Sequence, residues 1–152
     1  MEPVDVVTQF LDRLSGGDIR GALDLVDDDI VYTNVGFPTA RGRRQTAFVL
    51  RQLDKPFMGF AVQMVNSAAD GAVVLTERVD ELRVGRFRAQ FWVCGRFEVR
   101  AGRLTVWRDY FDVFDMAKAL ARGLAALVVP SIQKPLNQQS SNGQGHPVDA
   151  ER

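Results

Sequence analysis

Residues 57–114, FMGFAVQMVNSAADGAVVLTERVDELRVGRFRAQFWVCGRFEVRAGRLTVWRDYFDVF, decide the fold of this chain. The stretch contains four runs rich in β-branched and aromatic residues, separated by turn signals at Asp70-Gly71, at Gly85 and at Ala101-Gly102. The Asp-Gly pair is typical of a tight hairpin because both positions tolerate a positive φ. The pattern therefore predicts four consecutive antiparallel strands.

The segments before this meander predict helices and one further strand. Apolar residues recur at helical spacing from Val6 to Leu14, and Asp18 suits the N-cap of a second, short helix. Residues 27–37 (DDDIVYTNVGF) alternate with a period of two, which indicates a strand. Residues 43–54 (RRQTAFVLRQLD) predict a third helix that ends before Pro56.

The C-terminal part of the chain predicts an amphipathic helix over residues 115–129, followed by a Gln-, Ser-, Asn- and Gly-rich segment. We therefore expect one domain over residues 1–130 and a flexible tail over residues 131–152. The element order predicts an α+β fold, in which a curved, mixed, mostly antiparallel sheet wraps around three to four helices. Such a sheet forms a cone with a deep apolar pocket.

Composition excludes several classes of function. Basic and acidic side chains balance at 19 each, so no strong overall field attracts nucleic acid or lipid headgroups. A local cluster of Arg41, Arg43 and Arg44 is interpreted as a solvated loop and helix start. No apolar run approaches the ~18 residues of a membrane span. An acidic N-terminus and the lone cysteine, Cys94, favour the cytoplasm.

The scarcity of histidine limits the available chemistry. The lone histidine, His146, falls in the predicted tail, which excludes Ser–His and Cys–His nucleophilic sites and nearly every histidine-based metal centre. We therefore expect neither a metal nor an organic cofactor. Carboxylates, Arg, Tyr, Lys and bound water remain as the reactive groups.

The candidate reactive residues lie on predicted strands. Side chains two residues apart share a face of a strand, so Arg78 and Asp80 point the same way, and Asp109 shares a face with Trp107 and Phe111. A carboxylate among aromatic side chains is costly to ionise without a cation. Arg78 could bridge Asp80 and Asp109, and two carboxyls in opposite protonation states are what concerted acid–base chemistry requires.

On the first predicted strand, Tyr32 and Asn34 share a face and could together hold one water molecule. Alternatives remain open for each residue by itself. A strand R-x-D pair is more often a surface ion pair, Asp112 is a rival to Asp109, and a tyrosine is more often part of the core. The residues alone do not assign the acid and the base.

Three motifs, YTN (32–34), LTERVDEL (75–82) and WRDYFD (107–112), closely resemble the limonene-1,2-epoxide hydrolase family in order and spacing. The resemblance covers nearly the whole chain before the tail. It implies the cone-shaped fold shared with nuclear transport factor 2 and ketosteroid isomerase, a homodimer formed through the sheet, and one-step hydrolysis of an epoxide without a covalent enzyme intermediate.

The resemblance also implies a role for each residue. Asp109 would be the general base that deprotonates water, and Tyr32 and Asn34 would hold that water. Asp80 would be the general acid that protonates the epoxide oxygen. Arg78 would orient both acids and balance their charge.

The substrate is expected to be a small apolar epoxide, terpene-, sterol- or fatty-acid-like, that reacts with water. The residues expected to line its pocket are Leu82, Phe87, Phe91, Trp107 and Phe111. Two other functions are compatible with the same fold: an isomerase or cyclase that works through enolisation, and a non-catalytic lipid-binding module. A pure lipid carrier would gain nothing from three buried charges.

Overall fold

The computed structural model describes residues 1–132, which form a six-stranded curved sheet with helices packed against its concave face. The elements in chain order are α1 (Pro3–Ser15), α2 (Ile19–Asp24), β1 (Val26–Asn34), β2 (Ala40–Arg41), α3 (Gly42–Leu50), β3 (Met58–Asp70), β4 (Val73–Val84), β5 (Phe87–Arg100), β6 (Arg103–Tyr110), α4 (Val113–Val128) and a 3₁₀ turn (Pro130–Ile132).

The strand order is β2-β1-β6-β5-β4-β3. Strands β3 to β6 form the predicted antiparallel meander, and β1 adds to β6 in parallel, with Asn34 opposite Asp109 and Tyr32 opposite Trp107. The α+β fold with a mixed, mostly antiparallel sheet is therefore confirmed. The short strand β2 pairs with β1 and was not predicted, because two residues are too few to show a period.

The N-terminal helices fill the concave side of the sheet. Helix α1 buries five apolar side chains at helical spacing, Val6, Val7, Phe10, Leu11 and Leu14. The Asp18 side chain accepts a hydrogen bond of 2.8 Å from the backbone N–H of Gly21, which confirms the predicted N-cap of α2. Burying this stripe of five side chains fixes α1 across the sheet.

Two predicted boundaries are wrong by about four residues. Helix α3 ends at Leu50, and residues 51–54 continue as turns with i→i+3 hydrogen bonds, a tightening that is common at helix C-termini. Strand β6 ends at Tyr110 rather than Phe114, because Asp112 accepts hydrogen bonds from the backbone N–H groups of Phe114 and Asp115 and so begins α4.

Helix α4 packs against the part of β5 that extends past the end of β6. The contact is close at Gly123, where an added Cβ would overlap the carbonyl oxygen of Arg88 and the ring of Phe87. None of the helices within residues 1–132 is long and apolar enough to span a bilayer. The predicted tail, apart from its first two residues, lies outside the described residues, and the single-domain boundary stays a prediction.

Candidate active site

The concave side of the sheet encloses a cavity of about 390 Å³. Its lining is mostly apolar, and the polar side chains that reach it include Tyr32, Asn34, Asp80 and Asp109. Four of the five residues expected to line the pocket do so: Leu82, Phe91, Trp107 and Phe111. Phe87 is not among the lining residues, because its ring packs against α4 at Gly123.

At the floor of the cavity, one arginine holds two carboxylates. Arg78 Nε donates a hydrogen bond of 2.9 Å to Asp80 Oδ1, and Arg78 Nη2 lies 2.6 Å from Asp109 Oδ2. The Arg78 side chain is fully buried, and each aspartate is 4% exposed. The structure therefore brings Asp109 of one strand to the Arg78–Asp80 pair that the sequence placed on another.

The guanidinium reaches Asp109 by crossing a strand. Arg78 lies on β4 and Asp109 on β6, which are separated by β5 and hence by roughly 10 Å. Gly95 is paired with Asp109 at the crossing point, and an added Cβ there would overlap Arg78 Nη1 and lie 2.6 Å from Thr76 Oγ1. Only a residue without a side chain leaves room for this bridge.

Two further contacts support the guanidinium. Arg78 Nη1 donates a hydrogen bond of 3.1 Å to Thr76 Oγ1, and the Arg78 guanidinium lies 5.8 Å from the centre of the Phe97 ring. Thr76 and Gly95 were missed as site residues. The signal for Thr76 was its place two residues before Arg78 on the same strand face, whereas Gly95 depends on a register that the sequence does not reveal.

The parallel pairing of β1 with β6 brings Tyr32 and Asn34 beside Asp109. Asn34 Nδ2 donates a hydrogen bond of 2.7 Å to the Tyr32 hydroxyl oxygen, and the Tyr32 ring stacks on Trp107 with centroids 4.0 Å apart. Burial raises the pKa of Tyr32, so its hydroxyl stays neutral and keeps a proton to donate. Both side chains line the cavity.

The pKa values of the three charged residues are strongly coupled. Burial raises the pKa of Asp80 to about 6; Arg78 opposes this shift and the negative charge of Asp109 adds to it. Burial also raises the pKa of Asp109, against the lowering effect of Arg78 and of the Trp107 indole N–H. Burial disfavours the charged form of Arg78, but the two carboxylates keep it protonated by raising its pKa.

One oxygen of this set is available for chemistry. Asp109 Oδ2 faces Arg78, whereas the buried Asp109 Oδ1 has no hydrogen bond of good geometry among the described residues; the Trp107 indole N–H, which acts on the same carboxyl, is likewise without one. Buried acceptors are nearly always paired, so an unpaired carboxylate oxygen beside a cavity indicates a place for a polar ligand or water. The arrangement can therefore hold one protonated and one ionised carboxyl around a single cation.

One open alternative is resolved by position. Asp112 is exposed and caps α4, so it does not compete with Asp109 for the cavity. Among the described residues, no group of three or more His, Cys, Asp or Glu side chains is placed to hold a metal ion. Chemistry without a cofactor stays a prediction.

Comparison with known proteins identifies the family of this chain. Residues 1–122 match the family model of the limonene-1,2-epoxide hydrolase catalytic domain. The chain is 53% identical to "Epoxide hydrolase EphG" of Mycobacterium tuberculosis (strain ATCC 25618 / H37Rv) over 130 residues, which cover 86% of this chain and 87% of that protein.

Two solved structures, one similar in sequence and one dissimilar, share the fold of this chain. An LEH-like epoxide hydrolase of M. tuberculosis superimposes with a TM-score of 0.84 at 51% identity, covering 88% of this chain and 95% of that one. A putative polyketide cyclase of Pseudomonas putida shares the fold alone, with a TM-score of 0.69 at 14% identity and coverage of 78% and 98%. The chain belongs to the limonene-1,2-epoxide hydrolase family.

Proposed function

We propose that this protein adds water to a lipophilic epoxide in one step and releases a vicinal diol. The observation that carries the proposal is the buried Arg78 between Asp80 and Asp109 at the floor of an apolar cavity. A curated relative of 53% identity is named an epoxide hydrolase, which supports the same reaction for this chain.

In the proposed reaction, Asp109 is the general base. A water molecule held by Tyr32 and Asn34 gives a proton to Asp109 Oδ1, and its oxygen forms a bond to one epoxide carbon. The carbon–oxygen bond of the ring breaks at the same time. Positioning and proton transfer each lower the barrier, and general base catalysis contributes about 10²–10⁴-fold.

Asp80 is the general acid of the same step. As the ring opens, the epoxide oxygen becomes a strong base and takes the proton of Asp80, so the product carries two hydroxyl groups. Asp80 is then ionised and Asp109 protonated, and the resting state returns when one proton moves from Asp109 to Asp80. Arg78 contacts both carboxylates throughout, which keeps the charge of the three residues at zero.

The cavity supports an apolar substrate. Its volume of about 390 Å³ lies in the range of small-molecule sites, and aromatic rings such as Phe91 and Phe111 form its wall. These features suit a terpene-, sterol- or fatty-acid-like epoxide. No metal or organic cofactor enters the proposed step.

The protein is also proposed to form a homodimer through the sheet. Support comes from apolar side chains that are exposed on the convex face of β4, β5 and β6, namely Leu75, Trp92 and Tyr110. Exposed apolar area of this kind is typical of protein interfaces. A cytoplasmic location remains a prediction from the sequence.

Diol formation from several lipophilic epoxides tests the function. We expect Asp80→Asn and Asp109→Asn to lower kcat/KM by about 10²–10⁴-fold each, because each removes one proton-transfer group. Asp112→Asn is the matched control, since the same substitution at an exposed cap keeps the helix N-cap and leaves turnover unchanged. Equal turnover by all the variants would contradict the proposal.

A single turnover in water labelled with heavy oxygen tests the one-step mechanism. The label should enter the diol directly. Label found first in an enzyme carboxylate would indicate a covalent intermediate instead.

A further inference from the structure

The cavity opens between the loop after β1 and the end of α3. Of the residues that line it, the floor residues Trp107 and Asp109 are at most 4% exposed, whereas Phe37 is 58% and Val49 40% exposed. The opening therefore lies at Phe37 and Val49. Two more exposed apolar side chains each precede a lining residue in the chain: Phe48, at 70% exposure, precedes Val49, and Phe57, at 57%, precedes Met58.

We call these four residues, Phe37, Phe48, Val49 and Phe57, the mouth rim. Three of them are phenylalanines, a residue type that is usually buried in soluble domains. A cluster of exposed aromatic side chains around the entrance of a binding cavity marks an interaction surface. Phe48 and Phe57 do not line the cavity, so contact with a substrate inside it does not explain their exposure.

The same stretch of chain also carries a local excess of positive charge. Residues 37–57 contain five basic side chains and one acidic one, although the whole chain is neutral. Arg43 pairs with Asp24 and Asp28 across to α2 and β1. Three others, Arg44, Arg51 and Lys55, have no carboxylate within 4 Å among residues 1–132, and all three are exposed.

Helix α3 places basic and aromatic side chains on the same side. Arg44, Phe48 and Arg51 follow one another at i, i+4 and i+7, and so lie on one side of the helix and of the turn that continues it. An exposed phenylalanine flanked by arginines is the composition that binds at the headgroup level of an anionic lipid surface. The Arg41–Arg44 cluster is thus part of a larger basic surface.

We infer that the mouth rim docks on an anionic lipid bilayer, with its phenylalanines between the headgroups and Arg44, Arg51 and Lys55 near the lipid phosphates. This inference rests on the proposed function, because a lipophilic epoxide is dissolved in the bilayer and a cavity that opens onto the lipid takes it up without passage through water. A rim docked on lipid also covers the apolar side chains that water otherwise contacts.

Sedimentation with lipid vesicles tests the inference. The full chain should bind vesicles made of equal parts phosphatidylcholine and phosphatidylglycerol, bind pure phosphatidylcholine much more weakly, and lose affinity as salt is raised. The double variant Phe48→Ser/Phe57→Ser should bind the mixed vesicles at least about tenfold more weakly. Arg44→Gln and Lys55→Gln should each cost about fivefold.

Val65→Ser is the control. Val65 is an exposed apolar residue (43%) on β3, seven residues along the strand from Met58 at the end next to the rim, so its loss should leave vesicle binding unchanged. Thermal unfolding of every variant confirms that it is folded. Vesicle binding needs no turnover, so a failure of the epoxide hydrolase assignment would not alter this result.

Two outcomes would overturn the inference: no vesicle binding by the full chain, or equal binding by the full chain and the Phe48→Ser/Phe57→Ser variant. If the full chain does not bind vesicles, a change of oligomeric state in that variant, measured by analytical ultracentrifugation, would assign the rim to contact with a second copy of this chain.

Discussion

Asp80 and Glu81 are neighbours on β4, and both carry a carboxylate that is almost completely buried, at 4% and 3% exposure. They lie on opposite faces of the sheet. Asp80 shares Arg78 with a second acid and borders the cavity. Glu81 Oε1 lies 3.5 Å from Arg83 Nε and 3.8 Å from Arg88 Nη1, and both arginines are half-exposed. Glu81 does not line the cavity.

The difference shows which feature distinguishes a candidate site from a structural ion pair. Burial is the same in both places, so burial alone does not indicate function. On the concave face one cation serves two acids, which leaves a proton to be shared; on the convex face two cations serve one acid. An excess of carboxylates over cations beside a cavity is the condition for acid–base chemistry.

The largest difference between the two faces is expected from substitution of two glycines, Gly95 and Gly59, because each packs against an arginine side chain. An added Cβ at Gly95 would overlap Arg78, which is enclosed, whereas at Gly59 it would meet the outer part of the half-exposed Arg83 side chain. Gly95→Ala should therefore displace the Arg78 bridge and cost about 1–3 kcal/mol of stability together with a loss of about 100-fold in kcat/KM.

Gly59→Ala is the control for Gly95→Ala. The Arg83 side chain can move into solvent, so Gly59→Ala should cost less than about 1 kcal/mol and leave kcat/KM unchanged. Chemical denaturation and steady-state kinetics measure both quantities. Full activity in a folded Gly95→Ala protein would show that the bridge does not need the space above β5.

A smaller effect with opposite signs is expected from the isosteric changes Asp80→Asn and Glu81→Gln. The folded-state pKa of Asp80, about 6, lies above its ordinary value of 3.8, so its contribution to stability is complete below pH 4 and is lost as the pH rises through 6. Asp80→Asn should therefore raise the free energy of unfolding at pH 8 by about 2 kcal/mol.

Glu81→Gln should lower the free energy of unfolding at the same pH by about 1 kcal/mol, because it removes the charge that faces Arg83 and Arg88. Urea unfolding at pH 4 and pH 8 measures both changes. Destabilisation of the same size and sign in the two variants would mean that the two faces of β4 are electrostatically alike.

The alternation of side chains was enough to predict half of the site. Arg78 and Asp80 could be placed on one face of β4 because a strand has a period of two, and turn signals predicted the meander that carries them. Alternation puts Glu81 on the opposite face, but it does not show that arginines of β4 and β5 cover it there. Their approach depends on strand register, which a local period does not determine.

The rest of the site could not be predicted, because it depends on contacts between segments that are distant in the sequence. The parallel pairing of β1 with β6 sets Asn34 opposite Asp109, and nothing in either segment indicates that partner. Phe87 shares the concave face with Phe91, as alternation predicted, but α4 packs over it and leaves only Phe91 at the cavity. The sequence does not distinguish Gly95 from other strand residues, because its importance depends on the Arg78 side chain that crosses β5 at this position.

The smallest effect is expected for the kcat/KM of the Glu81→Gln variant. The backbone of β4 separates the Glu81 side chain from the cavity, and the fully buried Arg78 on the other face is held by three polar contacts that Glu81 does not touch. Its kcat/KM should stay within about twofold of the wild type, since surface-type pairs with half-exposed arginines are weakly coupled to distant groups. The dependence of kcat/KM on pH should also keep its shape, because removing one negative charge behind the sheet changes the balance between Asp80 and Asp109 little. A displaced pH profile would show that the outer carboxylate helps to set the pKa of Asp80, and the division between a reactive and a structural face of β4 would then fail.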